Sequence, residues 1–563
     1  MAIARDEKYL AKLLSVGAGF TTILVVSGSV TDPVNVPKML SLGVFSVASI
    51  AFVLNSGLRS RLGESKLLLA SILAFFAFML LAVAQSNSPL SQNVYGTYGR
   101  NNGFLTYLFL GLILLAAASI RNNFESLING LLFAGVINVG YCLWVVSFGD
   151  FIGWSNPYGN ILGTLGNPNF IGAFLGIFFA AYLAKSLDKS ASRVFRLSAF
   201  IVLPVTAFEI VKSHAIQGRV VAALGVGIIG FLYIRSRFSK ITLSLYSLLV
   251  LVFGAMSLMG ALQIGPLTQY IYKTSVSLRG QYWLAGYNAG KSHLLSGVGM
   301  DSFGDWYRRT RDSHALVLPG PNTVVNAAHN VPLDLFAFGG LPLIAAYFCI
   351  MGLALIAALK VIQRSTTFNP IFAVLITSWA GYQLQSVISI NQIGLAIWGW
   401  LLSGALIAYE KSSRAQDYSA RENQKSLQKG KTNTSVQPKL VITTFLGGLF
   451  GLILALPPLT ADATWRSAQV ARTLPAIEAS MDTSYFNPQN VTKYLMNIQA
   501  LEGSNLNELS HKYALAAVKW NPENFDLWKT VYLLKNSTPL EKQEALRKMK
   551  VLDPLNPDVA STQ

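Results

Sequence analysis

The sequence predicts an all-α polytopic membrane protein with about thirteen transmembrane helices, one long external loop and a helical C-terminal domain outside the membrane. Three observations lead to this fold class. The 563-residue chain is 52% hydrophobic and only 12% charged, whereas a soluble chain carries about twice that charge. Apolar runs that approach the roughly 20 residues needed to cross a bilayer recur along most of the chain. Basic residues lie in short groups between those runs.

The apolar runs give approximate bounds for each span. The N-terminal run is not followed by a small-residue cleavage site, so we expect the first helix to be retained. Both cysteines, Cys142 and Cys349, lie inside apolar runs, which excludes a disulfide framework outside the membrane. Helices are predicted over 11–29, 38–56, 67–85, 103–120, 127–147, 168–185, 197–212, 218–234, 241–262, 331–359, 369–388, 394–410 and 440–458.

The distribution of charge sets the orientation. The net charge of +18 is concentrated in loops such as 59–66 and 185–196, which the positive-inside rule places in the cytoplasm. Membrane topology explains these groups better than nucleic-acid binding does, so no nucleic-acid partner is expected. The sequence therefore predicts a multi-pass protein of the cytoplasmic membrane. Its N-terminus would be cytoplasmic and its C-terminal domain external.

The expected domain organisation follows this topology. Residues 1–410 form the transmembrane domain, which includes the external loop 263–330. Residues 411–439, basic and rich in Ser, Gln and Asn, form a cytoplasmic linker expected to be disordered. A last transmembrane helix over 440–458 leads to an external helical domain over 459–563.

The external tail contains a weak repeat. Asn-Pro-Gln-Asn at 487–490, Asn-Pro-Glu-Asn at 521–524 and Asp-Pro-Leu-Asn at 553–556 recur about every 32–34 residues, and each closes a predicted helical stretch. This spacing resembles tetratricopeptide repeats, which stack helix pairs and often bind proteins. We therefore predict a tetratricopeptide-like tail that could recruit a protein partner. A few helices packed on the membrane domain are the alternative.

Charged residues beside a membrane span on the external side are the first functional candidates. Arg100 precedes one span, Arg219 follows the turn between two others, and Arg279 lies near the start of the long loop. His329 ends that loop, and Asn330 after it predicts a helix N-cap, so the histidine should lie at a helix mouth. Such a mouth attracts phosphate, arginines bind it through two bonds, and a neutral histidine can accept a proton there.

The order of motifs along the loop resembles that of a known family, the bacterial O-antigen ligase and polymerase superfamily, which also includes protein O-oligosaccharyltransferases. The resemblance covers about residues 60–410, and its specific motifs lie within 215–345. The matching features are the many spans, the late external loop, Arg279 with Trp283 four residues on, Gly297-x-Gly299 before Phe303, and His329-Asn330.

Members of this family transfer a lipid-linked glycan, typically on undecaprenyl diphosphate, to an acceptor hydroxyl without a metal or a nucleotide sugar. The resemblance implies that His329 is the general base or orients the acceptor, and that Arg279 and Arg219 bind the diphosphate. Arg100 is a further candidate for diphosphate binding. No cofactor and no metal site are expected.

Three further side chains are candidates for binding the acceptor or a sugar: Asn330, Trp283 and Gln385. Trp283 could stack on a saccharide or belong to an interfacial aromatic belt. Gln385 could bind sugar hydroxyls or form hydrogen bonds between helices. The sequence leaves these alternatives open.

The sequence thus predicts a membrane glycosyltransferase that transfers or polymerises a polyprenyl-diphosphate-linked glycan on the outer face of the membrane. The acceptor could be a glycan, a lipid or, as in a protein O-oligosaccharyltransferase, a protein. A transporter or flippase of lipid-linked saccharide is the alternative from another class. Transporters often show two matching halves with interrupted helices near the midplane, and no such repeat is evident here. A scaffold whose tail recruits enzymes would not need so many spans.

Overall fold

The first half of the chain is a bundle of long helices joined by short connections. The computed structural model describes residues 2–422 and 437–560, and within these residues the regular structure is helical without strands. In chain order the helices of the first half are α1 (Ala2–Ile23), α2 (Asn35–Asn55), α3 (Arg59–Leu62), α4 (Lys66–Gln85), α5 (Leu90–Tyr95), α6 (Phe104–Ala117), α7 (Phe124–Phe148), α8 (Pro168–Ser186), α9 (Arg193–Lys212), α10 (Ile216–Arg237) and α11 (Lys240–Ala261).

The long loop contains helices of its own before the chain returns to the bundle. The loop helices are α12 (Thr268–Ile271), α13 (Thr274–Ser292) and α14 (Phe303–Thr310). The bundle then continues with α15 (Val331–Arg364), α16 (Pro370–Ile388), α17 (Ile393–Glu422) and α18 (Pro438–Ala471). We call the side of the bundle that bears residues 262–330 the loop face.

Within the described residues, 11 helices are long and apolar enough to cross a membrane: α2, α4, α7 to α11 and α15 to α18. This confirms the polytopic all-α class. Two more predicted spans are helical but fall outside that set. Helix α6 has only 14 residues, and the first turns of α1 carry the charges of Asp6, Glu7 and Lys8. The count of thirteen therefore stays a prediction.

The first span ends earlier than predicted. Helix α1 ends at Ile23 rather than near residue 29. The buried Lys38 of α2 explains this end, because its ammonium group donates to the carbonyl oxygens of Thr21, Thr22 and Leu24 at 3.2, 2.5 and 2.8 Å. Carbonyl groups at a helix C-terminus lack partners within the helix, so the lysine satisfies them.

Both ends of the linker predicted over 411–439 are helical in the described residues. Helix α17 continues to Glu422 and α18 begins at Pro438, while residues 423–436 lie outside the described residues. Arg364 helps to extend α17, since it pairs with Glu410 at 3.1 Å and donates to the hydroxyl of Ser413. Helix α18 likewise runs past the predicted boundary at 458 and ends at Ala471.

Helix α17 lies at the centre of the bundle. Trp398 and Trp400 on it are fully buried. The indole N–H of Trp398 donates to the hydroxyl of Thr22 at 2.8 Å, and that of Trp379 donates to Ser403 at 2.9 Å. Such hydrogen bonds join helices where water is absent. They fix α17 against α1 and α16.

Helix α15 is broken near its start, and the loop binds at the break. Gly339 and Gly340 have non-helical backbone angles, with φ of 66° at Gly340. A side chain at Gly297, whose own φ is 63°, would place its Cβ 2.2 Å from the carbonyl carbon of Phe338. Only glycine accepts both this angle and this approach. The contact is closed by three backbone hydrogen bonds: Val298 N to Ala337 O, Gly299 N to Phe338 O and Leu341 N to Leu294 O.

The tail is helical and folds around its own apolar residues. Its helices are α19 (Leu474–Met481), α20 (Val491–Gly503), α21 (Asn507–Trp520), α22 (Phe525–Leu533), α23 (Pro539–Leu552) and α24 (Pro557–Ala560). The repeated motif joins consecutive helices: Asn521 ends α21, and Asn524 caps the start of α22. Each motif therefore opens a helix as well as closing one. The tetratricopeptide-like class of this tail stays a prediction.

Candidate functional site

The histidine that ends the loop lies at the start of α15. Asn330 is the N-cap of this helix, as its side-chain oxygen accepts from Leu333 N at 3.0 Å. Asp334 in the first turn accepts from Ala328 N at 2.6 Å. These two bonds hold the backbone of His329 in a left-handed conformation with φ of 58°. Non-glycine residues adopt such angles only where the surrounding structure holds them, often at functional sites.

The tautomer of His329 follows from its hydrogen bond. Nδ1 lies 3.1 Å from the carbonyl oxygen of Ala327. A carbonyl can only accept, so we assign the proton to Nδ1. The second ring nitrogen, Nε2, then carries a lone pair and can accept a proton.

Two guanidinium groups act on this imidazole. Burial and, to a smaller extent, the positive charges of Arg100 and Arg279 together lower the pKa of His329 to about 4, against the effect of the Ala327 carbonyl. The imidazole is therefore neutral near pH 7. Three of the residues predicted from the sequence are thus brought together.

Neither guanidinium group forms an ion pair with a carboxylate among the described residues. The side chain of Arg100 also forms no hydrogen bond there, although Asp301, Asp334 and Asp32 lie within electrostatic range. Arg279 donates from Nη1 to the carbonyl and hydroxyl oxygens of Ser275, and its Nε is buried without an acceptor. Burial lowers the pKa of both arginines. Two desolvated cations with open donors are suited to bind an anion.

Arg219 has a less constrained position. It lies in the first turns of α10 and its side chain is exposed. Lys273 donates to the carbonyl oxygen of His214 at 2.7 Å, which places the start of α13 beside the turn that precedes α10. Arg219 does not contribute to the pKa of His329, in contrast to the other two arginines.

The three candidates for acceptor or sugar binding differ in their surroundings. Asn330 is half-buried beside the histidine. Trp283 packs against the core, and its indole N–H is buried without an acceptor among the described residues. Gln385 is only 1% exposed within α16. The aromatic ring that contacts His329 is instead that of Tyr282, with ring centroids 5.3 Å apart.

Two aspartates position the site and were not among the predicted site residues. Asp301 is buried, and its carboxylate accepts from Thr97 N at 2.7 Å and Asn102 N at 3.2 Å. It thereby holds the turn that carries Arg100, and burial raises its pKa to about 7. Asp334 holds the backbone before His329, as described above. Asp301 lies two residues after the Gly297-x-Gly299 motif, but the motif does not indicate that this aspartate contacts the turn before α6.

No group of three or more His, Cys, Asp and Glu side chains in residues 2–422 and 437–560 is arranged to hold a metal ion. The histidines of the loop have separate surroundings. His293 contacts the ring of Trp306, and His314 lies beside Asp312 at the surface.

The other arginines of the loop are paired with acids of the tail. Arg311 donates to both oxygens of Asp553 at 2.8 Å, and Arg308 donates to Asp553 at 3.1 Å and to Asp526 at 3.0 Å. The side chains of Arg311 and Asp553 are both 0% exposed. We call these contacts the tail clamp.

The tail clamp also includes amide contacts from the second copy of the repeat. Asn521 and Asn524 donate to the two carboxylate oxygens of Asp305 at 3.1 and 2.8 Å. Gln92, which precedes α6, donates to the same carboxylate at 3.0 Å. The second and third copies of the motif, at 521–524 and 553–556, therefore bind the loop of the same chain at α14 and just after it.

A comparison with protein families matches the part of the chain that contains the long loop. A family model described as O-antigen ligase matches residues 216–348. The match runs from the start of α10 into α15, so it includes Arg219, Arg279 and His329 but neither Arg100 nor Gln385. A comparison with curated proteins found no match. The matched domain supports a membrane glycosyltransferase-like role in surface-polysaccharide biosynthesis. Residues 216–348 therefore belong to the O-antigen ligase superfamily, which confirms the family predicted from the sequence.

Proposed function

We propose that this protein transfers a glycan from a polyprenyl diphosphate to an acceptor hydroxyl at the loop face. The observation that carries the proposal is a neutral histidine flanked by two guanidinium groups that form no ion pair among the described residues. His329 supplies a free Nε2, and Arg100 and Arg279 supply open donors beside it. A base and an anion site within electrostatic range of each other are what this reaction needs.

In the proposed reaction, Nε2 of His329 takes the proton from the acceptor hydroxyl. The acceptor oxygen forms a bond to the anomeric carbon of the donor, and the bond from that carbon to the diphosphate oxygen breaks. The leaving diphosphate keeps the electron pair, so negative charge grows on it. Arg279, Arg100 and, from the start of α10, Arg219 stabilise that charge. Fixed guanidinium groups do this best where water is scarce.

The electrostatics of the site also favour a binding order. Burial is the main cause of the low pKa of His329, about 4, and the two guanidinium groups lower it as well. A bound diphosphate compensates the charge of the guanidinium groups and therefore raises this pKa in part. A base works best when its pKa lies near the working pH. The histidine would thus become a more effective base once the donor has bound.

The proposal also covers the side of the membrane on which the site lies, the residues that bind the acceptor or a sugar, and the class of acceptor. The loop face would lie outside the cytoplasmic membrane, with the N-terminus inside, as the positive-inside rule indicates. Asn330 and Trp283 would bind the acceptor or a sugar, and Gln385 on α16 would have the same role. Glycan, lipid and protein acceptors share the same hydroxyl chemistry, so ligation and polymerisation both fit this site. The tail could also bind a protein partner.

The proposal is tested by His329→Ala and Arg279→Ala in cells that make the surface glycan. Loss of a general base costs about 10²–10⁴-fold in rate, and loss of one charge-stabilising donor costs about 10²–10³-fold. Both variants should reach the membrane at normal levels and give almost no product. His314→Ala is the matched control, because that loop histidine has a side chain that is 81% exposed. Near-normal product in both variants would contradict the mechanism.

The same cells separate transfer from transport. A failed transferase leaves the lipid-linked donor on the outer leaflet, whereas a failed flippase leaves it on the cytoplasmic leaflet. Accessibility of the donor to an added glycosidase in spheroplasts distinguishes the two leaflets. Protection of the donor in His329→Ala cells would favour the transporter.

A further inference from the structure

A cavity of about 450 Å³ opens beside Arg100 on the loop face. Its walls come from the connection between α1 and α2, the turn before α6, the connection between α7 and α8, and the end of α18. Its volume is in the range of small-molecule sites, about 300–1,000 Å³. The residues that bear on its chemistry are Asp32, Arg100, Trp154, Tyr158, Asn167 and Arg466.

The charge of this cavity is positive. Asp32 is its only acidic residue among the described ones, and both its oxygens are already engaged by the start of α2: Val34 N at 2.9 Å, Asn35 N at 3.0 Å and Asn35 Nδ2 at 3.2 Å. Arg466 donates only from Nε, to the carbonyl oxygen of Gly28 at 3.3 Å. Arg100 forms no ion pair or side-chain hydrogen bond among the described residues, although Asp32, Asp301 and Asp334 lie within electrostatic range. Two guanidinium groups therefore face the cavity without an ion pair, and they outnumber its one carboxylate in the described part of the chain.

The helices add to this positive potential. The N-termini of α2, a helix of 21 residues, and of α8, a helix of 19 residues, both border the cavity at Asn35 and Asn167. A helix N-terminus carries a partial positive charge. Its effect here reinforces the two arginines, so the cavity favours an anionic ligand.

The remaining walls suit a sugar ring. Trp154 is held by a hydrogen bond from its indole N–H to Asp150 at 2.7 Å, and Tyr158 accepts from Asn167 at 3.3 Å. Aromatic faces and side-chain amides are the groups that bind the apolar faces and the hydroxyls of sugars. Lipid tails would require an apolar channel, whereas these walls come from polar connections at the loop face. A saccharide with a carboxylate satisfies both the charge and the polar walls.

The cavity is joined to the proposed transfer site through one residue. Arg100 lines the cavity and also acts on the imidazole of His329. We propose that the cavity binds an acidic sugar residue of the glycan substrate, with Arg466 and Arg100 on its carboxylate and Trp154 against its ring. This inference rests on the proposed function, because it names the class of saccharide that the enzyme would take.

The test measures binding without catalysis. Purified full-length protein in nanodiscs is titrated with trigalacturonic acid and with the same trisaccharide methyl-esterified at its carboxyl groups. We expect the acid to bind at least about tenfold more tightly, since charge-assisted hydrogen bonds are about twice as strong as neutral ones. Arg466→Ala and Trp154→Ala should each weaken binding of the acid about tenfold, and Arg466→Lys should weaken it less. Lys535→Ala, an exposed cation of the tail, is the matched control and should bind normally.

Several results would overturn the inference. Equal binding of the acid and the ester would remove the role of charge, and normal binding by Arg466→Ala would place the ligand elsewhere. Competition by inorganic phosphate, or by nanodisc lipid rich in phosphatidylglycerol, at the concentration of the acid would show an unselective anion site. If trigalacturonic acid does not bind while His329→Ala and Arg279→Ala still abolish the product, this inference fails and the proposed function stands.

Discussion

The tail clamp predicts that Asp553→Ala releases the tail from the loop. Asp553 is the shared acceptor of Arg308 and Arg311, and its removal leaves two guanidinium groups buried without that partner. Breaking a buried ion pair on one side costs about 3–5 kcal/mol. Arg308 keeps Asp526, and both arginines keep the carbonyl oxygen of Pro321. We therefore expect the lower end, about 3 kcal/mol, which shifts the docking equilibrium on the order of 100-fold.

Hydrogen exchange followed by mass spectrometry measures this release. Amides of α14 and of α22 and α23 should exchange faster in Asp553→Ala, while those of α16 and α17 in the bundle should not change. The apolar residues inside the tail, such as Leu527 and Val531, keep it folded when it undocks. Arg547→Ala is the matched control, because Arg547 pairs with Glu544 on an exposed tail helix.

A double variant tests whether the loss of docking free energy comes from the guanidinium groups that Asp553→Ala leaves without this carboxylate. Replacing Arg311 by Met in the Asp553→Ala protein removes one unpaired guanidinium group. Replacing both partners of a buried pair is much less costly than breaking it. The double variant should therefore dock better than Asp553→Ala alone. Unchanged exchange of α14 in Asp553→Ala would refute the reasoning that this clamp holds the tail.

Three further predictions concern the loop, the base and the topology. Gly297→Ala should lower the free energy of unfolding by about 1–3 kcal/mol, because residue 297 has a left-handed backbone and lies close to Phe338. The loss should appear as a lower melting temperature, whereas Gly280→Ala, whose new methyl group would meet open space, should leave the melting temperature unchanged. As the pH falls, protonation of His329 should lower kcat/KM, and this acid limb of the pH profile should lie below pH 6.5. Arg100→Gln removes a cation that lowers this pKa, so its limb should shift to higher pH, and an unchanged limb would contradict the coupling. With the native cysteines replaced, an impermeant maleimide should label Lys535→Cys but not Lys189→Cys in spheroplasts, and the reverse result would invert the orientation.

Much of the fold could be predicted because bilayer length and hydropathy act locally. Eleven of the expected spans appear as long apolar helices. The ends of helices were less accurate, since they depend on distant partners. Lys38 ends α1 from another helix, and Arg364 supports the extension of α17 from the end of α15. Neither partner can be inferred from the hydropathy of the segment that it changes.

Local structure at the candidate site could be predicted where it depends on residues that are close in the sequence. Asn330 was expected to cap the helix after His329, and it does. The Gly297-x-Gly299 motif proved to be the contact at the break in α15, which no periodicity indicates. The role of Asp301 in holding the turn of Arg100 could not be predicted. Its carboxylate accepts a hydrogen bond from the backbone amide of Thr97, which lies about 200 residues away in the sequence.

The loop's arginines differ in their partners, and the sequence alone does not show this difference. Arg308 and Arg311 lie within about 30 residues of Arg279, and all have the same chemistry. The tail supplies carboxylates to the first two from more than 200 residues away. It supplies none to Arg279, where a buried donor stays open. A desolvated cation without an ion-pair partner is costly, so its persistence beside a free histidine nitrogen is the physical reason to expect an anionic substrate there.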